Sequence, residues 1–462
     1  MTLIKSISGI RGTIGGQVGD NLTPIDAVKF ASAYGVWVKQ QRTKDQYKVV
    51  VGRDARISGA MIQNLVMNTL VGLGIHVVDL GLSTTPTVEL AVPMEHADGG
   101  IILTASHNPK QWNALKLLNS KGEFLDGEEG AKILEIAESD QMSFADVDSL
   151  GKITKNKAYI DLHIIEVLDL PLVNVKAIED ARFKVVVDGV NSTGGIAIPL
   201  LLERLGVHVI KLYCEPNGEF PHNPEPLKEH LTDLSERVVK EHADFGIVVD
   251  PDVDRLAFMD EKGDMFGEEY TLVACADYVL SRTPGNTVSN MSSTRALRDV
   301  TEKYGGTYEA SAVGEVNVVK LMKKNKVVIG GEGNGGIIYP ESHYGRDALV
   351  GVALFLSLLA DKQISVSALR KTYPNYFMSK KKIELTPGLD VDGILTVIEN
   401  RYHNEHLTTI DGVKIDFSES WVHLRKSNTE PIIRIYTEAK SQTEADTLAD
   451  KFIKEIGEIA NR

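Results

Sequence analysis

The stretch YKVVVGRDARISGAMIQNLVMNTLVGLGIHVVDLG, residues 47–81, decides the fold class because two periodicities alternate within it. YKVVVG (47–52) is a β-branched run of strand length. In ISGAMIQNLVMNTLVGLG (57–74) apolar residues recur at helical spacing, and IHVVDLG (75–81) is strand-like again. GIILTAS (100–106) supplies the next strand. This alternation predicts βαβ units and a largely parallel sheet flanked by helices.

The same rhythm recurs twice downstream. A second cycle runs from FKVVVDGV (183–190) through GGIAIPLLLERLG and VHVIKLY to ADFGIVVDPDVDR (243–255). A third starts with EEYTLVACADYVLSR and NTVSNMSS, passes KVVIGGEGNGGIIYP, and ends in the apolar helix DALVGVALFLSLLADK (347–362). Beyond the breaker-containing TYPNYF (372–377) the pattern changes to strand-like KKKIEL, helical VDGILTVIENRY, strands in VKIDFSESWVHLR and PIIRIYTEA, and an amphipathic helix from Glu444. That order predicts a small α+β unit with an antiparallel sheet. The expected domains are 1–152, 153–255 and 256–374, all α/β, and 375–462, α+β. No short sequence repeat relates them.

A chain of 462 residues is too long for one core and suggests roughly three or four domains. Fifty Lys and Arg against 64 Asp and Glu give a net charge of -14, which argues against nucleic acid or an anionic membrane as partner. No window approaches the ~20 apolar residues of a membrane span, and the N-terminal MTLIKSISGI has no apolar core for a signal peptide. Cys214 and Cys275 lie far apart without a CxxC pattern, which indicates neither a disulfide framework nor a zinc site. A cytoplasmic protein is expected, and a homodimer is admitted but not indicated.

Asp250, Asp252 and Asp254 alternate directly after a predicted strand, so an extended backbone would turn all three carboxylates to one side. Three hard oxygen donors suit Mg²⁺, which commonly also takes a phosphate oxygen. A solvated acidic turn is the plain alternative. A calcium EF-hand is excluded, although Glu261 falls at the twelfth position, because Arg255 stands where that loop demands glycine and a strand precedes the loop. Arg255 itself suits neutralisation of a transferring phosphoryl.

RKSNTEPIIR (425–434) gathers the guanidinium of Arg425 with the hydroxyl and amide donors of Ser427, Asn428 and Thr429, a chemical match for a phosphate dianion. Alone, a Ser-Asn-Thr run makes turns. GGEGNGG (330–336) permits close backbone approach to a ligand, with Glu332 and Asn334 able to bond sugar hydroxyls, but it lacks both the dinucleotide fingerprint and the P-loop lysine. TASHNP (104–109) places Ser106 beside His107 without the nucleophile elbow of a serine hydrolase. Beside a metal loop and phosphate donors, Ser106 is read as a phosphoryl carrier, with His107, Asn108 and Lys116 as donors or proton-transfer groups.

Taken in order, TASHNP, DPDVDR, GEGNGG and RKSNTEPIIR resemble the α-D-phosphohexomutase family. So do SGIRG (8–12), GRDARISG (52–59), DGVNSTGG (188–195), PNGEFPHNPEP (216–226) and AVGEVNVV (312–319), so the resemblance covers nearly the whole chain. It implies three α/β domains with mixed sheets flanked by helices, plus a C-terminal TATA-binding-protein-like α+β domain, around a central cleft to which each domain lends one loop. By position it implies Ser106 as the phosphoserine and a further metal ligand, Asp250, Asp252 and Asp254 as Mg²⁺ ligands, and Glu332, with Asn334, at the sugar. Arg425, Ser427, Asn428 and Thr429 would hold the phosphate that is not transferred. Lys116 would be a proton-transfer group, Arg11 a neighbour of the phosphoserine, and His107 and Arg255 would bind the phosphoryl.

The implied reaction interconverts the 6-phosphate and 1-phosphate of a hexose through a bound sugar 1,6-bisphosphate that turns end for end. Many members carry Glu-x-Ser-Gly/Ala-His in the sugar loop, whereas Asn334 and Gly336 stand at the serine and histidine positions here. The segment after Pro109 reads Asn-Ala-Leu-Lys in place of the commoner Asn-Gly-x-Lys. GEGNGG with RKSNTEPIIRIYTEA resembles the archaeal-type phosphoglucosamine mutase branch more than the mannose/glucose enzymes. Glucosamine phosphates are therefore the expected substrates, with phosphomannomutase/phosphoglucomutase activity second and a non-catalytic sugar-phosphate binder third.

Overall fold

The computed structural model describes residues 2–6, 9–139, 142–384, 390–426 and 432–460. Four sheets follow one another along the chain. The first contains β1 (Ile4–Ser6), β2 (Gly9–Thr13), β3 (Tyr47–Arg53), β4 (Ile75–Leu82), β5 (Gly99–Leu103), β6 (Trp112–Leu118) and β7 (Ile153–Lys155) in the order β1-β2-β6-β5-β3-β4-β7. β3 runs parallel to β4 and β5, as the alternation predicts, whereas β6 joins β5 antiparallel, which makes the sheet mixed.

The second sheet has β8 (Lys184–Asp188), β9 (His208–Leu212), β10 (Phe245–Val249) and β11 (Leu256–Met259) in the order β11-β10-β8-β9. The third has β12 (Thr287–Asn290), β13 (Tyr308–Ser311), β14 (Ile329–Glu332) and β15 (Gly336–Ile338) in the order β13-β12-β14-β15. The fourth is antiparallel throughout, with β16 (Phe377–Glu384), β17 (His406–Thr408), β18 (Val413–Asp416), β19 (Trp421–Lys426) and β20 (Ile432–Ala439) in the order β16-β20-β19-β18-β17.

Two short strands cross the divisions expected from sequence. β7 lies past residue 152 yet pairs with β4 of the first sheet, and β11 lies past residue 255 yet forms a hairpin with β10. Backbone pairing at a sheet edge decides both placements, and a three- or four-residue strand gives little sequence signal of which edge it joins.

The second and third sheets share one core. The helix Ala348–Lys362 is apolar on every side and buried from Ala348 to Ala360, as expected for a helix enclosed by neighbours. Its Phe355 stacks on Phe258 of β11 with ring centroids 3.7 Å apart. One continuous apolar cluster runs from Ile160 to Tyr373 through that contact. The first and fourth sheets keep separate cores, the fourth built from Ile433 and Ile435 against Phe452 and Ile456 of the C-terminal helix. Among the described residues no helix is long and apolar enough to cross a membrane.

Candidate active site

Four loops carry the chemistry-bearing residues, and three of them leave the carboxyl ends of β5, β10 and β14, where open α/β sheets place ligands. The loop after β5 presents Ser106, whose backbone sits in the left-handed region at φ 49°, an uncommon conformation for a non-glycine residue. That bend is held from below by Arg56. Its guanidinium donates to the carbonyls of Ser106, Asn108, Pro109 and Trp112 at 2.5–3.0 Å, and its Nε donates to Asp54 Oδ2 at 3.0 Å. The arginine is 1% exposed, so the loop is fixed by a buried ion pair aimed at its own backbone.

Ser106 Oγ donates to Asp250 Oδ2 at 2.7 Å, which brings the first and second sheets' loops together. His107 Nδ1 lies 3.5 Å from the same Oγ. Burial and the charge of Arg255 push the His107 ring well below its ordinary range, so it is a neutral imidazole.

The expected extended run through 250–254 is not what forms. Residues 250–255 make a turn between β10 and β11, closed by Val253 N–H donating to Asp250 O at 3.1 Å, with Val253 itself left-handed at φ 64°. The three carboxylates nevertheless converge, each offering one oxygen within 4.8 Å of the others. The turn brings them together because Asp250 Oδ1 reaches forward to accept from the backbone of Asp254 and Arg255, both at 3.1 Å.

All three aspartates are fully buried. Asp252 Oδ2 accepts from Lys116 Nζ at 2.7 Å and Thr85 Oγ1 at 2.6 Å. Asp254 Oδ2 accepts from Arg346 at 2.8 Å and Lys116 at 3.3 Å. The other oxygen of each, Oδ1, is buried with no hydrogen-bond partner. Buried carboxylate oxygens are normally satisfied, and two orphans in a convergent triad of hard donors fit a divalent cation such as Mg²⁺. Burial and the two neighbouring aspartates raise the Asp250 carboxyl well above its usual range. Burial also pushes Asp254 upward, but Arg346 and Lys116 outweigh it and hold that group below the usual range. Lys116, despite burial, is held as an ammonium by Asp252 and Asp254.

Arg255 lies in the same pocket, its Nη1 3.2 Å from Glu225 Oε1, and that same oxygen stands 3.9 Å from His107 Nε2. Arg11, on β2, has a buried Nε without a partner, and burial together with Arg434 of β20 lowers its affinity for its proton. Arg434 pairs directly across the fourth sheet with Arg425. Like charges set opposite one another are unfavourable unless an anion joins them.

The loop GGEGNGG is a tight turn between β14 and β15, in which Glu332 faces Gly336 across the ladder. A Cβ at Gly335 would sit 2.1 Å from Leu256 O, so the turn packs directly on β11 of the neighbouring sheet. Glu332 is largely taken up by protein: Oε1 accepts from Asn290 at 2.8 Å and Gly314 N–H at 3.2 Å, and Oε2 from Arg346 at 3.0 Å. Asn334 Oδ1 accepts from Gly336 N–H at 3.3 Å. Arg425 Nε lies 2.8 Å from Asp411 Oδ2, which also accepts from Val313 N–H at 2.9 Å. Ser427, Asn428 and Thr429 lie outside the described residues.

Sequence reasoning missed Arg56, Thr85, Glu225, Arg346 and Asp411. Arg56 at least lies inside the quoted GRDARISG stretch, and Glu225 inside PNGEFPHNPEP. Arg346 and Asp411 are single residues whose partners come from distant segments, so no local pattern marks them.

Comparison with known proteins follows the same order as the four sheets. Descriptions of phosphoglucomutase/phosphomannomutase α/β/α domains I, II and III match residues 3–143, 158–263 and 267–376, and the C-terminal domain of that family matches 378–455. The chain belongs to the phosphoglucomutase/phosphomannomutase family. A phosphoglucomutase/phosphomannomutase from Thermococcus kodakarensis is 35% identical over 456 residues, covering 97% of this chain and 98% of that one. A phosphoglucosamine/phosphogalactosamine mutase from Sulfurisphaera tokodaii is 30% identical over 453 residues, covering 96% and 97%. A crystal structure of a phosphoglucomutase/phosphomannomutase family protein from Burkholderia thailandensis superposes with a TM-score of 0.84 at 25% identity, covering 98% of each chain.

Proposed function

We propose that the chain is a phosphohexose mutase that carries its phosphoryl group on Ser106 and interconverts hexosamine 6-phosphate and 1-phosphate, glucosamine before other sugars. The observation that carries this reading is the contact of Ser106 Oγ with Asp250, in a pocket where Asp252 and Asp254 each keep a buried orphan oxygen. A simple sugar-phosphate binder has no use for a bent, stapled serine against a cation site.

In the forward half-reaction the bond from phosphorus to Ser106 Oγ breaks and one to the free sugar hydroxyl forms. Lys116, held as an ammonium, gives a proton to the departing serine oxygen, and the amine so formed takes the proton that the sugar hydroxyl releases. Asp250, Asp252 and Asp254 would hold Mg²⁺ together with the phosphoryl on Ser106, and the ion would supply charge neutralisation for phosphoryl transfer. Arg255 and His107 receive the phosphoryl oxygens, for which Glu225 must give up Arg255. Arg11 faces the same anion. Arg425, with Ser427, Asn428 and Thr429, grips the phosphate that stays. The 1,6-bisphosphate then turns, and its other phosphate returns to Ser106. Glu332 and Asn334 meet the sugar hydroxyls, Glu332 through the acceptor capacity that Arg346 leaves it. The setting is the cytoplasm, and the partners are small sugar phosphates.

Glucose and mannose phosphates form the second reading, favoured by the name of the Thermococcus kodakarensis relative. The test is intact-protein mass spectrometry joined to an assay across glucosamine, glucose, mannose and N-acetylglucosamine phosphates with and without Mg²⁺. A mutase carries about 80 Da of phosphate on one serine, loses it to substrate, and stops on chelation. A chain that never carries phosphate and turns over none of these sugars is not a mutase.

A further inference from the structure

Arg346 stands two residues before the buried helix Ala348–Lys362, and its guanidinium meets three carboxylates from three segments. Nε donates to Glu315 Oε2 at 3.0 Å, Nη1 to Glu332 Oε2 at 3.0 Å and Nη2 to Asp254 Oδ2 at 2.8 Å, while its backbone N–H donates to Glu315 Oε1 at 3.0 Å. Its side chain is 10% exposed, so the pairs are shielded from water. The planar fork spreads its donors over three separated acceptors, which the compact point charge of a lysine ammonium does not reproduce.

Room for this side chain exists because position 336 has none. A Cβ at Gly336 would sit 2.3 Å from Arg346 Cδ and 3.0 Å from its Cγ. The glycine in the sugar loop is thus the seat of an arginine that reaches the metal loop.

The contacts decide which oxygens remain available. Arg346 and Lys116 occupy Asp254 Oδ2, so the free, buried oxygen of that ligand is Oδ1. Of the roughly four acceptor directions of Glu332, Asn290 and the Gly314 amide use two on Oε1, and Arg346 fixes Oε2. One guanidinium therefore sets both the orientation of a metal ligand and the orientation of the sugar-loop carboxylate.

We propose that Arg346 is a positioning residue that holds the metal loop and the sugar loop in one fixed register, seated in the space left by the missing side chain at Gly336. What the two loops bind rests on the mutase reading, whereas their coupling rests on these contacts. Loss of the guanidinium takes the cation from Glu315 and Glu332 and leaves Asp254 with Lys116 alone. A divalent cation is then attracted more strongly, because a competing positive charge has gone, while the sugar is held less well, because Glu332 is no longer aimed. The two affinities move in opposite directions, which a general loss of structure does not produce.

The test compares the full chain with Arg346→Gln, Arg346→Lys and Gly336→Ala. Mg²⁺ and glucose 6-phosphate binding are read by calorimetry, kcat and KM by assay, and Tm by calorimetric scan. Arg346→Gln is expected to bind Mg²⁺ more tightly than the parent while glucose 6-phosphate binding and KM weaken by about 10-fold or more, the effect usual for groups that orient metal-site ligands. Arg346→Lys keeps the charge and Gly336→Ala keeps the arginine, so both should retain near-parental Mg²⁺ affinity and still lose sugar affinity. These two carry the test if Arg346→Gln does not fold. Unchanged sugar affinity in all folded variants overturns the proposal, as does parallel loss of Mg²⁺ and sugar binding tracking Tm. A parent chain that binds glucose 6-phosphate but turns over no sugar sinks the mutase reading and leaves the binding comparison intact.

Discussion

Around Ser106, side chains from three sheets are joined within a few ångströms: Lys116 of the first reaches Asp252 and Asp254 of the second, and Arg346 of the third reaches Asp254. Around Arg425 one sheet with its own core meets the third through isolated polar contacts. Ser292 bonds His423 at 2.9 Å, the Val313 amide bonds Asp411 at 2.9 Å, and the Arg295 amide bonds Glu438 at 3.1 Å. The first region is buried and crosslinked before substrate arrives, as phosphoryl transfer requires of groups that must not reorganise. The second is joined to its neighbour by contacts between single residues. On the proposed reading, chemistry falls to the crosslinked region and phosphate capture to the region around Arg425.

Substitutions on the two sides should separate accordingly. The largest effect belongs to Ser106→Ala, which is expected to lower kcat by at least about 1,000-fold, in line with losses of nucleophiles that act as a unit. Glucose 6-phosphate binding by calorimetry should persist. Substantial turnover in that variant would merge the two halves and remove the distinction.

Next is Arg56→Met, which takes away the donor of four loop carbonyls and breaks a buried pair. A stability loss of about 3–5 kcal/mol and a fall in kcat of about 100-fold are expected, with KM less affected. A variant that lost stability and kept kcat would show that the bend at Ser106 needs no staple.

Arg425→Ala acts on the other side and should raise KM by roughly 10- to 100-fold, the worth of one charge-assisted hydrogen bond at about 1.5–3 kcal/mol. Its effect on kcat should be smaller. An equal fall in kcat would mean that the grip also works in the transition state.

The smallest effect is a pH dependence. His423 donates through Nε2 to the carbonyl of Asp411 and accepts at Nδ1 from Ser292, so it is neutral in the folded chain. Burial lowers its pKa from the ordinary 6.5 to about 4. The unfolded chain therefore binds this proton more readily than the folded one. The stabilisation is complete above about pH 6.5 and is lost as pH falls toward 4. Tm should drop less on acidification in His423→Asn than in the parent. An identical pH slope would place the acid sensitivity elsewhere.

The sequence made the fold legible where elements were long and periodic. The helix Gly59–Gly72 and strands β3 and β4 lie where the 47–81 stretch predicts them, and the change to an antiparallel sheet after TYPNYF is visible in composition. Edge strands such as β7, β11 and β17 were not legible, since three or four residues carry little pattern. The aspartate triad was visible by spacing, yet its geometry comes from a left-handed turn that spacing does not encode. Arg346 and Asp411 stayed hidden because a lone charged residue announces nothing until its distant partners are in place.

The Phe258–Phe355 stack carries a practical consequence for engineering. A chimera that exchanges only residues 267–376 for those of a relative would cut through a shared core and separate Arg346 from Asp254. Exchange of the whole span 158–376 keeps that core intact, but it still parts Asp250 from Ser106 and Asp252 and Asp254 from Lys116.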